Sequence, residues 1–267
     1  MIDHSMCRTI LVVPCYNEAS RLDAQAYRSF LRENPYIGLL FVNDGSTDAT
    51  KASLESLQLG FEERTGIIDC PQNRGKAEAV RLGLLDVVTR GAANYVGFWD
   101  ADLATPLPTL HQFVQILDER PDIDCIFGSR VKLLGRRIER SSARHYLGRL
   151  FATVVSTMLS VPVYDTQCGA KLFRIRPELT AVLNEPFLSR WVFDVEILAR
   201  MKRISVNRGV AIENLIVEYP LEEWCDVRGS KVKPTDFFKA LKDVVRIYLQ
   251  YRKYLSTSQI TQTHVTK

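Results

Sequence analysis

A chain of 267 residues, 46% hydrophobic and 25% charged, is long enough to bury a sizeable core in one α/β unit, and the balance excludes disordered, collagenous and low-complexity classes. Six cysteines (Cys7, Cys15, Cys70, Cys125, Cys168, Cys225) stand far apart, with no CxxC pair and no histidine cluster. That excludes a zinc module or a disulfide framework and fits a reduced, cytosol-facing compartment.

The opening MIDHSMCRTILVVP lacks the charged-then-apolar layout of a signal peptide, and its apolar run stops at Pro14, so TILVV (9–13) reads as the first strand. Further strands are expected at IGLLFV (37–42), GIID (66–69), NYVGFW (94–99) and DCIFGS (124–129). Helical patterns lie between them, near 20–33, 47–59, 76–89 and 107–119. This alternation predicts an α/β fold with a parallel sheet covered by helices. Ser46 is the expected N-cap of the second helix, with an acid two residues on.

From about residue 130 the rhythm breaks. Between Gly128 and Arg149 seven basic residues face one acid, Glu139, while the rest of the chain carries 28 basic against 30 acidic residues. One basic island on a nearly neutral protein points to a local anionic partner, phosphate groups or an anionic surface. It lacks the interleaved aromatics of a nucleic-acid site, so no nucleic-acid partner is expected. The island leads into an amphipathic helix (about 138–160), then QCGAKLFR (167–174), a helix near 190–202, a strand near 209–218 and a final helix from about 235 to 255. The apolar stretch FATVVSTMLSVPV (151–163) falls short of the roughly 18 residues of a membrane span, so the chain is expected not to cross a bilayer.

In open parallel sheets ligands bind beyond the carboxyl ends of the strands. There the sequence places PCYNE (14–18), NDGSTD (43–48), CPQNRGK (70–76) and DADLATP (100–106), all polar and turn-prone. Two nucleotide motifs are excluded. Pro14-Cys15-Tyr16-Asn17 has no glycine for a dinucleotide fingerprint, and Cys70 and Ala77 stand where a P-loop needs Gly and Ser or Thr. Asp100 and Asp102, set one residue apart after an apolar run, must be solvated or met by cations. On an extended segment the two face one side, and their hard oxygens suit Mg²⁺ or Mn²⁺.

The segments VVPCYNEASRL, VNDGSTDAT, NRGKAEAVRLGL and WDADLATP together resemble family 2 glycosyltransferases of the GT-A fold. FGSR, DTQCGAKLFR, RWVFDVEIL and WCDVRGSKVKPTDF are most similar to the dolichyl-phosphate glucosyltransferases, then to their mannosyl relatives. The resemblance implies one GT-A domain over 1–267, with a nucleotide-sugar half (8–130), an acceptor half (131–255) and a tail (256–267). It implies that Pro14, Tyr16 and Glu18 line the nucleoside pocket, that Asp44 reads the base, and that Asp100 and Asp102 bind the metal. Lys76, Arg130, Arg140 and Lys231 would answer the phosphates. Ala104 departs from the Gln of many mannosyl relatives, which favours the glucosyl branch.

The implied reaction moves a hexose, glucose from UDP-glucose rather than mannose from GDP-mannose, to a polyprenyl or dolichyl phosphate with inversion. The enzyme would lie peripherally on the cytosolic face of a membrane. Its contact would come from the 146–161 helix and from the C-terminal stripe of Phe237, Leu241, Val244, Tyr248, Tyr251 and Leu255. A hydroxyl acceptor would instead need a base, for which Asp194 stands where relatives carry an acidic pair. A module that binds nucleotide sugar without turnover is the alternative of another class.

Overall fold

A computed structural model describes residues 7–91, 93–140, 142–227 and 234–255, without the side chains of 142–145 and 234–238. Continuous apolar runs form the strands β1 (Thr9–Cys15), β2 (Ile37–Asp44) and β4 (Tyr95–Trp99), because each is covered on both faces. With β3 (Thr65–Cys70) they make a parallel wing in the order β3-β2-β1-β4. Helices α1 (Ala24–Glu33), α2 (Thr50–Gln58), α3 (Lys76–Arg90) and α4 (Thr109–Glu119) lie along its connections.

The sheet continues through β7 (Ala170–Arg174), β5 (Cys125–Ser129) and β8 (Ile216–Pro220). Here β7 runs antiparallel to both β4 and β5, so the seven-stranded sheet is mostly, not wholly, parallel. A two-stranded ribbon pairs β6 (Arg137–Glu139) with β9 (Glu223–Cys225). Helices α5 (Ser142–Leu159), α6 (Pro177–Leu183), α7 (Phe193–Arg208) and α8 (Pro234–Leu255) complete the fold.

Alternation along the strands sorts the core into two layers. Ile10, Val12, Val96 and Phe98 pack with α3, α5, α7 and α8, while Leu11, Val13, Tyr95 and Trp99 pack with α1, α2 and α4.

Four expectations change. Ser46 does not cap α2, which starts four residues later, because the Ser46 hydroxyl accepts the Asn17 amide at 3.0 Å. The helix expected from 138 begins at 142, since 137–139 pair as a strand. The strand expected over 209–218 begins only at Ile216, because Gly209 closes α7 in the left-handed region and a 3₁₀ turn (Ile212–Asn214) follows. In the C-terminal stripe Val244, Tyr251 and Leu255 are buried with Ile247 against the protein, and α8 packs on α7 and α5.

Candidate active site

All four strands of the parallel wing end at one edge, and their loops are laced together there. Asn17, at the left-handed φ of 50°, receives the Thr47 amide on its side-chain oxygen at 2.8 Å. The Glu18 amide donates to the Thr50 hydroxyl at 2.8 Å, and the buried Glu18 carboxylate accepts both Nε and Nη2 of Arg21 at 2.7 and 2.9 Å. Asp44, closing β2, spends one oxygen on the Arg74 amide (2.7 Å) and the other on the Gly75 amide (2.8 Å). Expected to read a base, it is built here as the anchor of the 73–75 turn. Pro14 is half-buried at the end of β1 and Tyr16 is exposed beyond it.

The segment after Trp99 is not extended, as the paired aspartates suggested. The Leu103 amide returns to the Asp100 carbonyl at 3.2 Å, and Leu103 takes a φ of 53°. The turn exists because polar groups close it: Asp102 Oδ1 accepts the Ala104 amide at 3.2 Å, the Trp99 indole donates to the Thr105 carbonyl at 2.8 Å, and the buried Tyr27 hydroxyl donates to the Ala101 carbonyl at 3.3 Å. Asp100 is pinned from β7's approach, its amide donating to the Gly169 carbonyl at 2.9 Å. A Cβ on residue 169 would stand 1.9 Å from Asp100 Oδ2, so only glycine leaves room for that carboxylate.

Cations approach the pair without closing it. Lys76 Nζ bonds Asp100 Oδ1, and Arg21 Nη2 stands 3.7 Å from Asp102 Oδ2. Burial, then the charge of Asp100, raises the Asp102 carboxyl above its ordinary value, against the Ala104 amide, Arg21 and Lys76. Lys76 goes up as well: its partial burial is outweighed by Asp100, Asp194 and Asp102. Arg21 stands beyond hydrogen-bond distance of Asp102, so no side-chain cation closes that carboxylate as Lys76 closes Asp100. No cluster of three or more His, Cys, Asp or Glu exists among the described residues. Two hard carboxylates with coordination left for ligand oxygens are the donor set that Mg²⁺ or Mn²⁺ takes beside a phosphate.

Around this rim the charges are closed. Lys171, fully buried on β7, donates to Asp194 Oδ1 at 2.5 Å and to the carbonyls of Cys168 (2.8 Å) and Thr166 (3.1 Å). Burial raises the Asp194 carboxyl despite Lys171 and Lys76. Arg130 grips Asp165 with Nε at 2.6 Å and Nη2 at 2.8 Å. Burial opposes ionisation of Asp165, yet Arg130 overrides it and holds the carboxyl well below the usual range. Beside this pair a cleft is lined by Arg130, Arg140, Gly148, Arg149, Tyr164 and Asp165, with the Arg149 guanidinium 4.4 Å over the Tyr164 ring. Lys231 lies outside the described residues, as does the 256–267 tail.

The structure thus gathers Asp100, Asp102, Lys76 and Arg21 at one edge, with Asp44 anchoring the adjacent turn. The sequence reading missed Arg21, Asp165, Gly169 and Lys171. The last three stand in the DTQCGAKLFR segment, and a buried lysine in an apolar strand was their signal.

The sequence profile described as glycosyl transferase family 2 matches residues 10–177. The chain is 33% identical to the dolichyl-phosphate beta-glucosyltransferase of Saccharomyces cerevisiae and 31% to that of Dictyostelium discoideum, each over 90% of this chain and 74% of the relative. The Homo sapiens protein of the same name is 30% identical over 90% of this chain and 75% of its own length. In architecture the chain matches glucosyl-3-phosphoglycerate synthase from Mycobacterium tuberculosis, solved with Mn²⁺, UDP and glucosyl-3-phosphoglycerate. The TM-score is 0.62 at 19% identity, over 92% of this chain and 80% of that one, and the fold is the expected GT-A arrangement. Strand-end loops, paired aspartates and sequence agree, and the chain belongs to glycosyl transferase family 2.

Proposed function

We propose that this glycosyltransferase moves glucose from UDP-glucose to a dolichyl or polyprenyl phosphate, inverting the anomeric centre, with Mg²⁺ or Mn²⁺ held by Asp100 and Asp102. The observation that carries the reading is the Asp100/Asp102 pair, one carboxylate met by Lys76 and the other approached by Arg21 only to 3.7 Å, set at the strand ends of a chain about 30% identical to dolichyl-phosphate beta-glucosyltransferases. When bound, the ion supplies Lewis-acid stabilisation of the diphosphate leaving group, which gains charge as the anomeric bond breaks. Lys76 pairs with Asp100 and adds a cation at the same edge. Pro14 and Tyr16 stand at the end of β1 where a nucleoside would lie, and Asp44 and Glu18 hold the loops that frame it. Arg140 and Arg149, in the cleft beside the Arg130–Asp165 pair, suit an anionic acceptor.

A phosphomonoester with a second pKa near about 6 is largely ionised at neutral pH, so the acceptor needs no base. The closure of Asp194 by Lys171 favours this over the hydroxyl acceptor, whose base would have to break that buried pair. The carboxylate pair weighs against a module without turnover.

No described helix is long and apolar enough to cross a membrane. The exposed Leu134 and, on α5, Tyr146, Leu147 and Leu150 adjoin the basic island and supply an apolar face for peripheral contact with an anionic leaflet, on its cytosolic side in this reading. Labelled UDP-glucose, Mn²⁺ and dolichyl phosphate should yield an extractable glucosyl lipid, silenced by EDTA and absent with GDP-mannose. Transfer from GDP-mannose alone, or to a hydroxyl but not to the lipid phosphate, overturns the reading.

A further inference from the structure

The loop joining α6 to α7 reaches across the molecule to the donor-side edge. Arg190, in that loop, donates Nε to the Arg74 carbonyl at 2.9 Å and Nη2 to the Asn73 side-chain oxygen at 2.8 Å and its carbonyl at 3.3 Å. Its own carbonyl accepts the Ala77 amide at 3.3 Å, in the first turn of α3. One residue therefore embraces the 73–75 turn by side chain and backbone, while Asp44 holds the same turn from the other side through the Arg74 and Gly75 amides. Gly75 fits between them at a φ of 95°, where a Cβ would meet Arg190 Nε at 2.8 Å.

The loop that carries Arg190 is itself tied down. The buried Ser189 hydroxyl donates to Asp243 of α8 at 2.6 Å and accepts the Trp191 and Val192 amides at 3.1 and 3.0 Å. The Leu188 amide donates to Glu196 at 2.6 Å, and Glu196 is locked by Arg200 Nη2 (2.7 Å) and the Tyr251 hydroxyl of α8 (3.2 Å). Arg200 also donates to the carbonyls of Glu185 (2.8 Å) and Pro186 (2.9 Å). A fully satisfied network of this kind is rigid. The exposed Arg190 guanidinium stands at the tip of this network and bonds the 73–75 turn.

We infer that Arg190 is a positioning residue: anchored on α7 and α8, it clamps the 73–75 turn and so sets where α3 begins and where Lys76 meets Asp100. The link from clamp to chemistry rests on reading this edge as the nucleotide-sugar site.

The clamp is tested without ligand by amide hydrogen exchange. Arg190→Ala should speed exchange of the Arg74, Gly75 and Ala77 amides by on the order of tenfold, with an unchanged Tm, because the residue is exposed. UDP affinity in Mn²⁺, read by calorimetry, should weaken by about tenfold, as expected for one charge-assisted contact. Arg190→Lys keeps the charge but not the fork, and should recover part of each effect. Ser189→Ala, which releases the loop from Asp243, should shift both readouts in the same direction by less. Unchanged exchange in Arg190→Ala overturns the clamp, and faster exchange with unchanged UDP affinity overturns its positioning role. A wild type that binds no UDP in Mn²⁺ removes the nucleotide reading, while the exchange result still decides the clamp.

Discussion

Two carboxylates, one on each wing of the sheet, are driven in opposite directions. Asp102, at the end of β4, is pushed up by burial and then by the charge of Asp100, which Arg21 at 3.7 Å and Lys76, bonded to Asp100, oppose without overcoming. Asp165, beside β5, is held down because Arg130 meets both of its oxygens. Both are largely withdrawn from water, so burial alone does not separate them. What separates them is closure. A charge answered within the protein is scaffold, and a charge left partly unanswered marks where a ligand's cation belongs.

That contrast predicts different failures. Asp102→Asn should lower turnover in Mn²⁺ by on the order of 10²–10³-fold, the size of losing one electrostatic contact to the transition state. Its Tm should not fall, since a raised carboxyl contributes no stability as an anion, and stabilisation by UDP plus Mn²⁺ should disappear. A variant with near-normal turnover breaks the comparison at its functional end.

On the scaffold side, Lys171→Met should fail by unfolding. It leaves Asp194 in the core without a partner, and removing one member of a buried pair costs about 3–5 kcal/mol. Urea denaturation reads this directly. A variant as stable as the wild type would mean that Asp194 simply takes up a proton, in line with its upward shift, and that the pair is not scaffold.

Arg149 sharpens the division between donor and acceptor. Arg149 is stacked on Tyr164 in the cleft and pairs with no acid among the described residues, so Arg149→Ala should raise KM for the lipid phosphate about tenfold and leave KM for UDP-glucose unchanged. Equal effects on both constants would dissolve the distinction.

The parallel wing was legible because its signals are local. Apolar runs gave β1, β2 and β4, and polar turns after them gave Asp44, Asp100 and Asp102. What local patterns cannot carry is partnership at a distance. Ser46 has the chemistry of a cap, yet a loop from β1 claims it first. The aspartates look extended until Tyr27, Trp99 and Gly169 fold the segment into a turn. The α8 stripe reads equally as a membrane face or a core face, and only α7 and α5 decide for the core at Val244, Ile247 and Tyr251. The ribbon of β6 and β9 joins segments more than 80 residues apart, three residues each, too short to show a period.

The smallest expected effect lies beneath the closed pair. Glu218, on β8, receives the Tyr164 amide at 2.7 Å and the Asp165 amide at 2.8 Å, so it holds the loop that presents Asp165 to Arg130. Burial, aided by the charge of Asp165 and opposed by that residue's amide, pushes its carboxyl from 4.5 up to about 7. Between those values the native state keeps a proton that the unfolded chain releases. Stability from this group is therefore complete below about 4.5 and is lost as pH rises through about 7. In Glu218→Gln that slope vanishes, although the amide offers one accepting oxygen where the carboxyl group offers two, so the variant starts weaker at low pH. The stability difference between wild type and variant should then shrink by on the order of 1–3 kcal/mol from pH 5 to pH 8. Denaturation across that range reads it. A difference that stays constant means Glu218 ionises as an ordinary carboxylate, closed by its two amides as fully as Asp165 is by Arg130.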